Sequence, residues 1–225
     1  MAEVDTFLAG ESLPSRAFYQ VVRALVAGFC RVWMRTSVEG RAHVPKRGAF
    51  ILAPVHRSNM DTPIAACVTR RRLRYMGKDT LWKKQPFRWL LSSLGGFPVT
   101  RGSADREALH RCVQVLQTGE PLVLFPEGER KSGPLVEPLF DGAAHIACRA
   151  QVPIVPVGIG GSERVMPKGK KFIYPRKVHV VIGAPLQPPP LTEGGRVPRA
   201  QVKRLTEQLH TELQTLFDTA QIRAD

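Results

Sequence analysis

Between residues 37 and 187, short apolar runs alternate with stretches in which apolar residues recur at helical spacing. This alternation predicts an α/β fold, which we expect to be a single domain with a mixed, mostly parallel central sheet flanked by helices. The apolar runs predict strands at residues 38–40, 49–54, 73–77, 95–101, 121–126, 152–159 and 178–182. Helices are predicted at residues 79–94, 104–118 and 140–150. A further short helix should begin between Asn59 and Thr62, because Pro63 then falls in its first turn.

The stretch before this region, residues 16–35, predicts a helix with one apolar side and one basic side. The apolar side consists of Phe18, Val21, Val22, Leu25, Phe29 and Val32, and the basic side of Arg16, Gln20, Arg23 and Arg31. A helix of this composition suits a membrane interface, where apolar side chains enter the acyl region and arginines meet lipid phosphates. A helix packed against the domain would show the same pattern, so both interpretations stay open.

After the last predicted strand, residues 187–195 are rich in proline and glycine and predict a linker. Beyond the linker, a closing amphipathic helix is indicated by the helical spacing of Val202, Leu205, Leu209, Leu213 and Leu216. We therefore divide the chain into an N-terminal amphipathic membrane-interface helix at 1–36, an α/β domain at 37–187, and a linker with a C-terminal helix at 188–225.

The 225 residues include 33 Lys and Arg against 19 Asp and Glu, which gives a net charge of +14. Such a charge indicates an anionic partner, either nucleic acid, a membrane surface or a phosphorylated substrate. The sequence contains no recognisable zinc finger or RNP motif and its basic residues are spread out, so we expect no nucleic acid partner. Residues 79–94, expected to break near Pro86, mix aromatic and basic residues in a way that suits an anionic membrane surface. A buried helix with one solvated side fits that stretch nearly as well. Residues 168–177, the basic loop, also carry two aromatic residues.

Four cysteines lie far apart without a CxxC pair, so we expect reduced, buried thiols and neither a metal site nor a disulfide framework. No apolar run reaches the roughly 18 to 20 residues of a spanning helix. The first residues also lack the basic region and apolar core of a signal peptide. We therefore expect a protein that is neither exported nor threaded through a bilayer.

The candidate chemistry lies in Val55-His56-Arg57-Ser58-Asn59-Met60-Asp61, directly after the predicted strand 49–54. A histidine at the end of a buried strand, with an aspartate five residues later, can act as a base held in position by the carboxylate. A single His-x4-Asp pair is usually structural, so its meaning depends on the rest of the chain.

Three later stretches accompany the pair: Lys78 with residues 86–101, Phe125-Pro126-Glu127-Gly128-Glu129-Arg130, and the apolar run at 152–158. In this order and spacing, the four stretches resemble the sequence blocks of the glycerophosphate and lysophosphatidate acyltransferase family, over roughly residues 50 to 160. Two positions depart from the family pattern. Val55 replaces the asparagine of Asn-His-x-Ser-x-x-Asp, and Glu129 replaces the threonine of Phe-Pro-Glu-Gly-Thr-Arg.

The resemblance implies that His56 is the general base for an acceptor hydroxyl and that Asp61 fixes its tautomer. It also implies a set of residues that bind the phosphorylated acceptor, namely Lys78, Arg101, Glu127, Gly128 and Arg130. The run at 152–158 would place the acyl chain or the donor. The carboxylate of Glu129 would repel a phosphate, so either it points away or the acceptor differs from the commonest one.

The activity implied is transfer of a fatty acyl group from acyl-CoA or acyl carrier protein to a hydroxyl of lysophosphatidate, without an acyl-enzyme and without a further cofactor. Glycerol 3-phosphate is the nearest alternative acceptor, and a non-catalytic basic lipid-binding module is the alternative of another class. Backbone N–H groups near the helix start after His56 are expected to stabilise the oxyanion. The expected location is the cytoplasmic face of a membrane, as a peripheral or monotopic protein.

Overall fold

A computed structural model describes residues 12–83, 85–99, 105–192 and 194–225. Its centre is a seven-stranded sheet in the order β1-β7-β6-β2-β5-β3-β4. The strands are β1 (Ser37–Glu39), β2 (Ile51–Pro54), β3 (Arg74–Lys78), β4 (Gly96–Val99), β5 (Leu122–Val123), β6 (Ile154–Gly160) and β7 (His179–Ile182). All described neighbours pair in parallel except β6 and β7, which are antiparallel. The predicted mixed, mostly parallel sheet is therefore confirmed.

Helices flank this sheet. They are α1 (Leu13–Trp33), α2 (Asp61–Ala65), α3 (Gln85–Ser93), α4 (Asp105–Gln117), α5 (Gly142–Ala150), α6 (Ser162–Val165) and α7 (Arg199–Ala224). The predicted helix at 79–94 consists of a 3-10 turn, Asp79–Trp82, followed by α3. Asp61 lies in the first turn of α2, within the range that the proline rule predicted.

Strand β6 is buried at every position, and α7 lies directly on it. A Cβ atom at Gly158 would come within 2.3 Å of the Leu216 backbone, and one at Gly160 within 2.2 Å of the Ala220 backbone. The two glycines therefore allow the helix and the strand to approach closely. The helix predicted as part of a separate C-terminal segment shares the core of the sheet through Leu209, Leu213 and Phe217.

Helix α1 docks on the domain through both apolar and polar contacts. Cys30 belongs to the hydrophobic core, and Val26 and Ala27 pack against it. Arg23 Nε donates to the Thr69 carbonyl at 2.8 Å, Gln20 Nε2 donates to the Arg70 carbonyl at 3.2 Å, and the buried Tyr19 hydroxyl accepts from the Leu73 N–H at 3.1 Å. The basic side predicted for a membrane surface thus contributes to packing, whereas most of the apolar side faces outward. No helix among the described residues combines the length and apolar character needed to cross a bilayer.

Candidate active site

The sheet itself brings the two principal motifs together. β2 and β5 are parallel neighbours, so the loops that follow them leave the same edge of the sheet side by side. The His56 N–H donates to Glu127 Oε2 at 3.0 Å, and the Lys131 N–H donates to the His56 carbonyl at 2.9 Å. Residues from two sequence blocks about 70 positions apart are thereby fixed against each other.

His56 and Asp61 form the predicted pair. Nδ1 of His56 lies 3.0 Å from Asp61 Oδ2, and the carboxylate is fully buried while 16% of the histidine side chain is exposed. An ionised carboxylate at this distance favours a proton on Nδ1, which leaves Nε2 as the acceptor nitrogen. The Phe125 ring stacks on the imidazole, with ring centroids 4.0 Å apart. The imidazole is therefore held by a hydrogen bond at one edge and by an aromatic ring on one face.

The same Asp61 oxygen organises the backbone of the loop. Oδ2 accepts the N–H of Arg57 at 2.6 Å and that of Ser58 at 2.7 Å. The Met60 N–H donates to the Ser58 hydroxyl, and the Asp61 N–H donates to the Ser58 carbonyl. These four N–H groups are engaged within the loop and are not free to hold an oxyanion in this arrangement. An oxyanion role for other N–H groups near the helix start stays a prediction.

Ser58 and Val55 both have structural positions. The Ser58 hydroxyl donates to the Met166 carbonyl at 3.0 Å, as suits a residue that holds the loop rather than a nucleophile. Val55, in place of the family asparagine, is fully buried and belongs to the hydrophobic core. Its side chain contributes packing rather than a polar group, which accounts for why this departure leaves the His56 to Asp61 geometry intact.

Arg57 and Glu127 form a buried ion pair behind His56. Arg57 Nη1 donates to both carboxylate oxygens of Glu127 at 2.8 Å, and the two side chains are 1% and 0% exposed. Arg57 also donates to the Leu135 carbonyl at 2.8 Å and lies over the Phe217 ring of α7, 4.8 Å from its centroid. Glu127, predicted to contact the acceptor, makes its described contacts with protein groups. Its acceptor-binding role stays a prediction, and the geometry favours a role in holding the His56 backbone.

Gly128, Glu129 and Arg130 lie on the accessible side of the same loop. Gly128 has φ +72°, and a Cβ there would meet the Phe140 ring at 2.7 Å, so the turn requires glycine. Arg130 is half-buried, and its guanidinium has no hydrogen-bond or ion-pair partner within the described parts of the chain, which makes it available to an anion. Glu129 is 74% exposed and pairs with Lys131 at 2.9 Å. The hydrogen bond and charge of Lys131 lower the pKa of the Glu129 carboxyl.

The two remaining predicted anion ligands come from the neighbouring strands. Lys78 ends β3, which is parallel to β5, so its backbone lies at the edge of the sheet from which the His56 and Glu127 loops emerge. Arg101 follows β4 but lies outside the described residues. Binding roles for both residues stay predictions.

An apolar cavity of about 880 Å³ is connected to the surroundings of His56 through Phe125. Its lining includes Leu109, Cys112, Leu124, Phe125, Ile146 and Val202. Phe125 belongs to both features, because the ring that stacks on His56 also forms part of the cavity wall. The run at 152–158, predicted to place the acyl chain, contributes no residue to this lining and lies mostly in the buried strand β6.

Sequence reasoning missed Arg57 and Phe125. Arg57 occupies the unassigned position of the His-x-Ser block, and its only signal was a basic residue placed between groups expected to be buried. Phe125 is the first residue of the third block, and an aromatic residue at the end of a strand is ordinarily interpreted as part of the hydrophobic core. Among the described residues, no cluster of three or more His, Cys, Asp or Glu side chains is placed to hold a metal ion.

Comparison with known proteins agrees with this arrangement. The acyltransferase family matches residues 35–160, more than half of the chain. A 1-acyl-sn-glycerol-3-phosphate acyltransferase of Bacillus subtilis is 27% identical over 150 residues, which cover 66% of this chain and 72% of that protein. The chloroplastic 1-acyl-sn-glycerol-3-phosphate acyltransferase BAT2 of Brassica napus is 25% identical over 156 residues, and the match spans 68% of this chain but only 45% of the Brassica protein.

A solved structure shares the fold. The crystal structure of the 1-acyl-sn-glycerophosphate acyltransferase PlsC from Thermotoga maritima superposes with a TM-score of 0.70 at 24% identity, over 92% of this chain and 83% of that one. The likeness extends on both sides of the region that the family matches.

Proposed function

The chain belongs to the acyltransferase family, and from that premise we propose that it transfers a fatty acyl group from a thioester donor to the free hydroxyl of lysophosphatidate. The observation that carries this proposal is the partly exposed His56, held by Asp61 at Nδ1 and placed beside an apolar cavity through Phe125. The relatives from Bacillus subtilis and Brassica napus bear the name of the same activity, which supports the choice of acceptor.

In the proposed reaction, His56 Nε2 takes the proton of the acceptor hydroxyl while the hydroxyl oxygen attacks the thioester carbonyl. The buried Asp61 carboxylate stabilises the imidazolium that forms. When the tetrahedral intermediate collapses, the carbon–sulfur bond breaks and the departing sulfur receives the proton from His56. The products are the diacylated phosphate lipid and a free thiol, and no acyl-enzyme is needed.

The cavity is the proposed place for an acyl chain. Its lining is predominantly aliphatic and aromatic, and each methylene group that leaves water for such surroundings contributes about 0.8 kcal/mol. Arg130 is the described side chain best placed to receive the acceptor phosphate, since it is half-buried, follows Gly128 in the loop beside His56 and has no protein partner within the described chain. We assign Lys78 and Arg101 to the same phosphate as predictions from the sequence.

The same proposal includes peripheral binding to an anionic membrane through α1. Docking on the domain uses Cys30 and the contacts of Tyr19 and Arg23, whereas an outer apolar stripe stays exposed and is available to the acyl region of a bilayer. The stripe consists of Val21, Leu25, Phe29 and Val32. Phe18 of α1 contacts Trp89 of α3 with ring centroids 5.1 Å apart, and Trp89 is 58% exposed. Lysophosphatidate resides in such a membrane, which is the reason for preferring it to glycerol 3-phosphate.

The test compares His56→Ala with the wild-type protein, using acyl-CoA and acyl carrier protein donors with each acceptor. Loss of a positioned base should lower kcat by roughly 10²- to 10⁴-fold. His110→Ala serves as the matched control, because His110 is an exposed histidine of α4 outside the site, and it should retain full activity. A His56→Ala protein with wild-type kcat would refute the mechanism, and transfer only to glycerol 3-phosphate would correct the acceptor.

A further inference from the structure

The outward face of α1 is apolar along its whole length. Val21, Leu25, Phe29 and Val32 are between 42% and 79% exposed, and they follow one another at intervals of three or four residues. Residues 12–38 contain no Asp or Glu, so no acidic side chain from this segment interrupts that face. A stripe of this kind is costly in water unless it is covered.

The basic loop, residues 168–177, has the same two properties. Phe172 is 61% exposed and Tyr174 is 37% exposed, and their rings meet edge to face with centroids 4.9 Å apart. Lys168, Lys170 and Lys171 are exposed beside them. Residues 164–192 contain no Asp or Glu, which leaves the positive charge of the loop without an acidic neighbour in sequence.

Direct contacts join the loop to the helix. Trp33, near the end of the apolar stripe, donates from Nε1 to the Ile173 carbonyl at 3.0 Å and stacks on Phe29 with centroids 6.3 Å apart. A cleft of about 560 Å³ between the loop and the C-terminal end of α7 is lined by five basic residues, together with Asp225, which pairs with one of them. The five are Arg35, Arg164, Lys170, Arg176 and Lys177. The helix and the loop therefore form one surface, with aromatic and aliphatic side chains bordered by cations.

The base of this surface reaches the catalytic loop. The Tyr174 N–H donates to the Val165 carbonyl at 2.8 Å, and the next carbonyl, that of Met166, accepts from the Ser58 hydroxyl at 3.0 Å. Ser58 is two residues from His56. A surface that immobilises the basic loop therefore also sets the direction from which a lipid reaches His56.

We propose that the basic loop is a second membrane anchor, which together with α1 seats the protein on an anionic bilayer. Phe172 and Tyr174 enter the interface, where amphipathic rings sit at headgroup depth, and the lysines meet lipid phosphates. Charge complementarity identifies the occupant, because exposed aromatic residues bordered by an excess of cations match an anionic lipid surface. This inference rests on the proposed function for the acceptor's location, but its test measures binding alone.

The experiment measures partition of the full chain onto phosphatidylcholine vesicles, with and without phosphatidylglycerol, in the absence of donor and acceptor. Each lysine near an anionic surface contributes about fivefold, so Lys170→Gln/Lys171→Gln should bind anionic vesicles about 30-fold more weakly. Phe172→Ser/Tyr174→Ser should lose about tenfold or more on both vesicle types, because it removes inserted apolar surface.

The matched control is Lys203→Gln/Arg204→Gln. Both residues are exposed near the start of α7, and their substitution removes the same charge as the lysine variant of the loop. They lie roughly 30 Å along the helix from the end that lines the basic cleft. At physiological ionic strength, charges so distant are screened, so the control should stay within about threefold of wild type. Melting temperatures equal to wild type verify that the exposed substitutions leave the fold intact.

Two results would overturn the proposal. One is wild-type partition of both loop variants while Leu25→Ser/Phe29→Ser on α1 abolishes binding. The other is loop-dependent binding to a short DNA duplex with no binding to anionic vesicles. An inactive protein that nevertheless shows loop-dependent partition would contradict the proposed acyl transfer and leave the membrane anchor standing.

Discussion

Glu127→Gln distinguishes two roles for one residue. Sequence resemblance assigns Glu127 to the acceptor, whereas the structure places its carboxylate against the backbone N–H of His56. The carboxylate accepts two contacts from Arg57 Nη1, the N–H of His56 and, at 3.3 Å, the N–H of Glu137. An amide of the same shape keeps one oxygen, but its NH₂ group must face one of these donors. The substitution therefore removes a charge and places two donors against each other.

The magnitude follows from the burial of the ion pair. With both side chains at most 1% exposed, removal of one partner leaves an uncompensated cation, which costs about 3 to 5 kcal/mol. For a chain of this size, 1 kcal/mol corresponds to roughly 2 to 4 °C, so the melting temperature should fall by roughly 6 to 20 °C. A displaced His56 backbone should also lower kcat, by about 10²-fold for a shift of 1 Å, and leave the KM of the acceptor within about threefold.

Thermal unfolding and steady-state kinetics on the same preparations provide the assay. Glu137→Gln is the matched control, since Glu137 is an exposed glutamate beside the same loop, and it should melt within about 1 °C of wild type. Arg57→Met/Glu127→Gln completes a double-mutant cycle, and the two changes together should cost about 1 to 3 kcal/mol less than their sum. A Glu127→Gln protein that melts like wild type and shows only a raised acceptor KM would refute the positioning argument.

Three further variants and one chemical modification test packing in the cavity, at the contact of α7 with β6, on α1 and at Cys112. Leu109→Trp narrows the cavity and should disfavour a palmitoyl donor relative to the shorter decanoyl donor. The ratio of kcat/KM for decanoyl over palmitoyl should rise about 15-fold, which corresponds to two methylene groups at about 0.8 kcal/mol each. An unchanged ratio would place the acyl chain elsewhere. Gly158→Ala forces a Cβ against the Leu216 backbone and should cost about 3 kcal/mol in urea unfolding. Gly28→Ala meets no atom within 4 Å in the interior of α1 and should be neutral or stabilising by up to about 1 kcal/mol, so equal effects of the two substitutions would contradict the close approach of α7. Burial raises the pKa of the Cys112 thiol to about 12, so iodoacetamide at about pH 8 should modify it only after unfolding, as peptide mapping by mass spectrometry can verify.

The sequence was sufficient to predict the elements of the sheet and the pair formed by His56 and Asp61. Both depend on short-range patterns, the alternation of apolar runs with helical periods and a spacing of five residues. The order of the strands could not be predicted from the sequence, because which strands lie beside β2 depends on the packing of the whole chain. The ion pair of Arg57 with Glu127 follows from that order, and the local sequence around either residue does not indicate its partner.

Helix α1 shows a different limit. The helix itself was predicted, but which residues face the protein depends on the core contact of Cys30 and on three backbone groups at residues 69–73 that only the folded chain brings together. Hydrophobic periodicity identifies an apolar face and leaves open whether protein or lipid covers it. The burial of Cys30 and the contacts of Arg23 and Gln20 fix the docked side of α1 and leave Val21, Leu25, Phe29 and Val32 exposed.

The contact between Arg57 and Phe217 bears on the order of events during synthesis. The ribosome makes Phe217 160 residues after Arg57, which at roughly 5 to 20 residues per second is a delay of roughly 10 to 30 seconds. Until α7 emerges and closes on Gly158 and Gly160, the guanidinium that holds the His56 loop lacks its aromatic neighbour. A nascent chain therefore exposes its N-terminal helix well before the His56 loop is fully supported, so the proposed membrane contact of that helix can form before the site is complete.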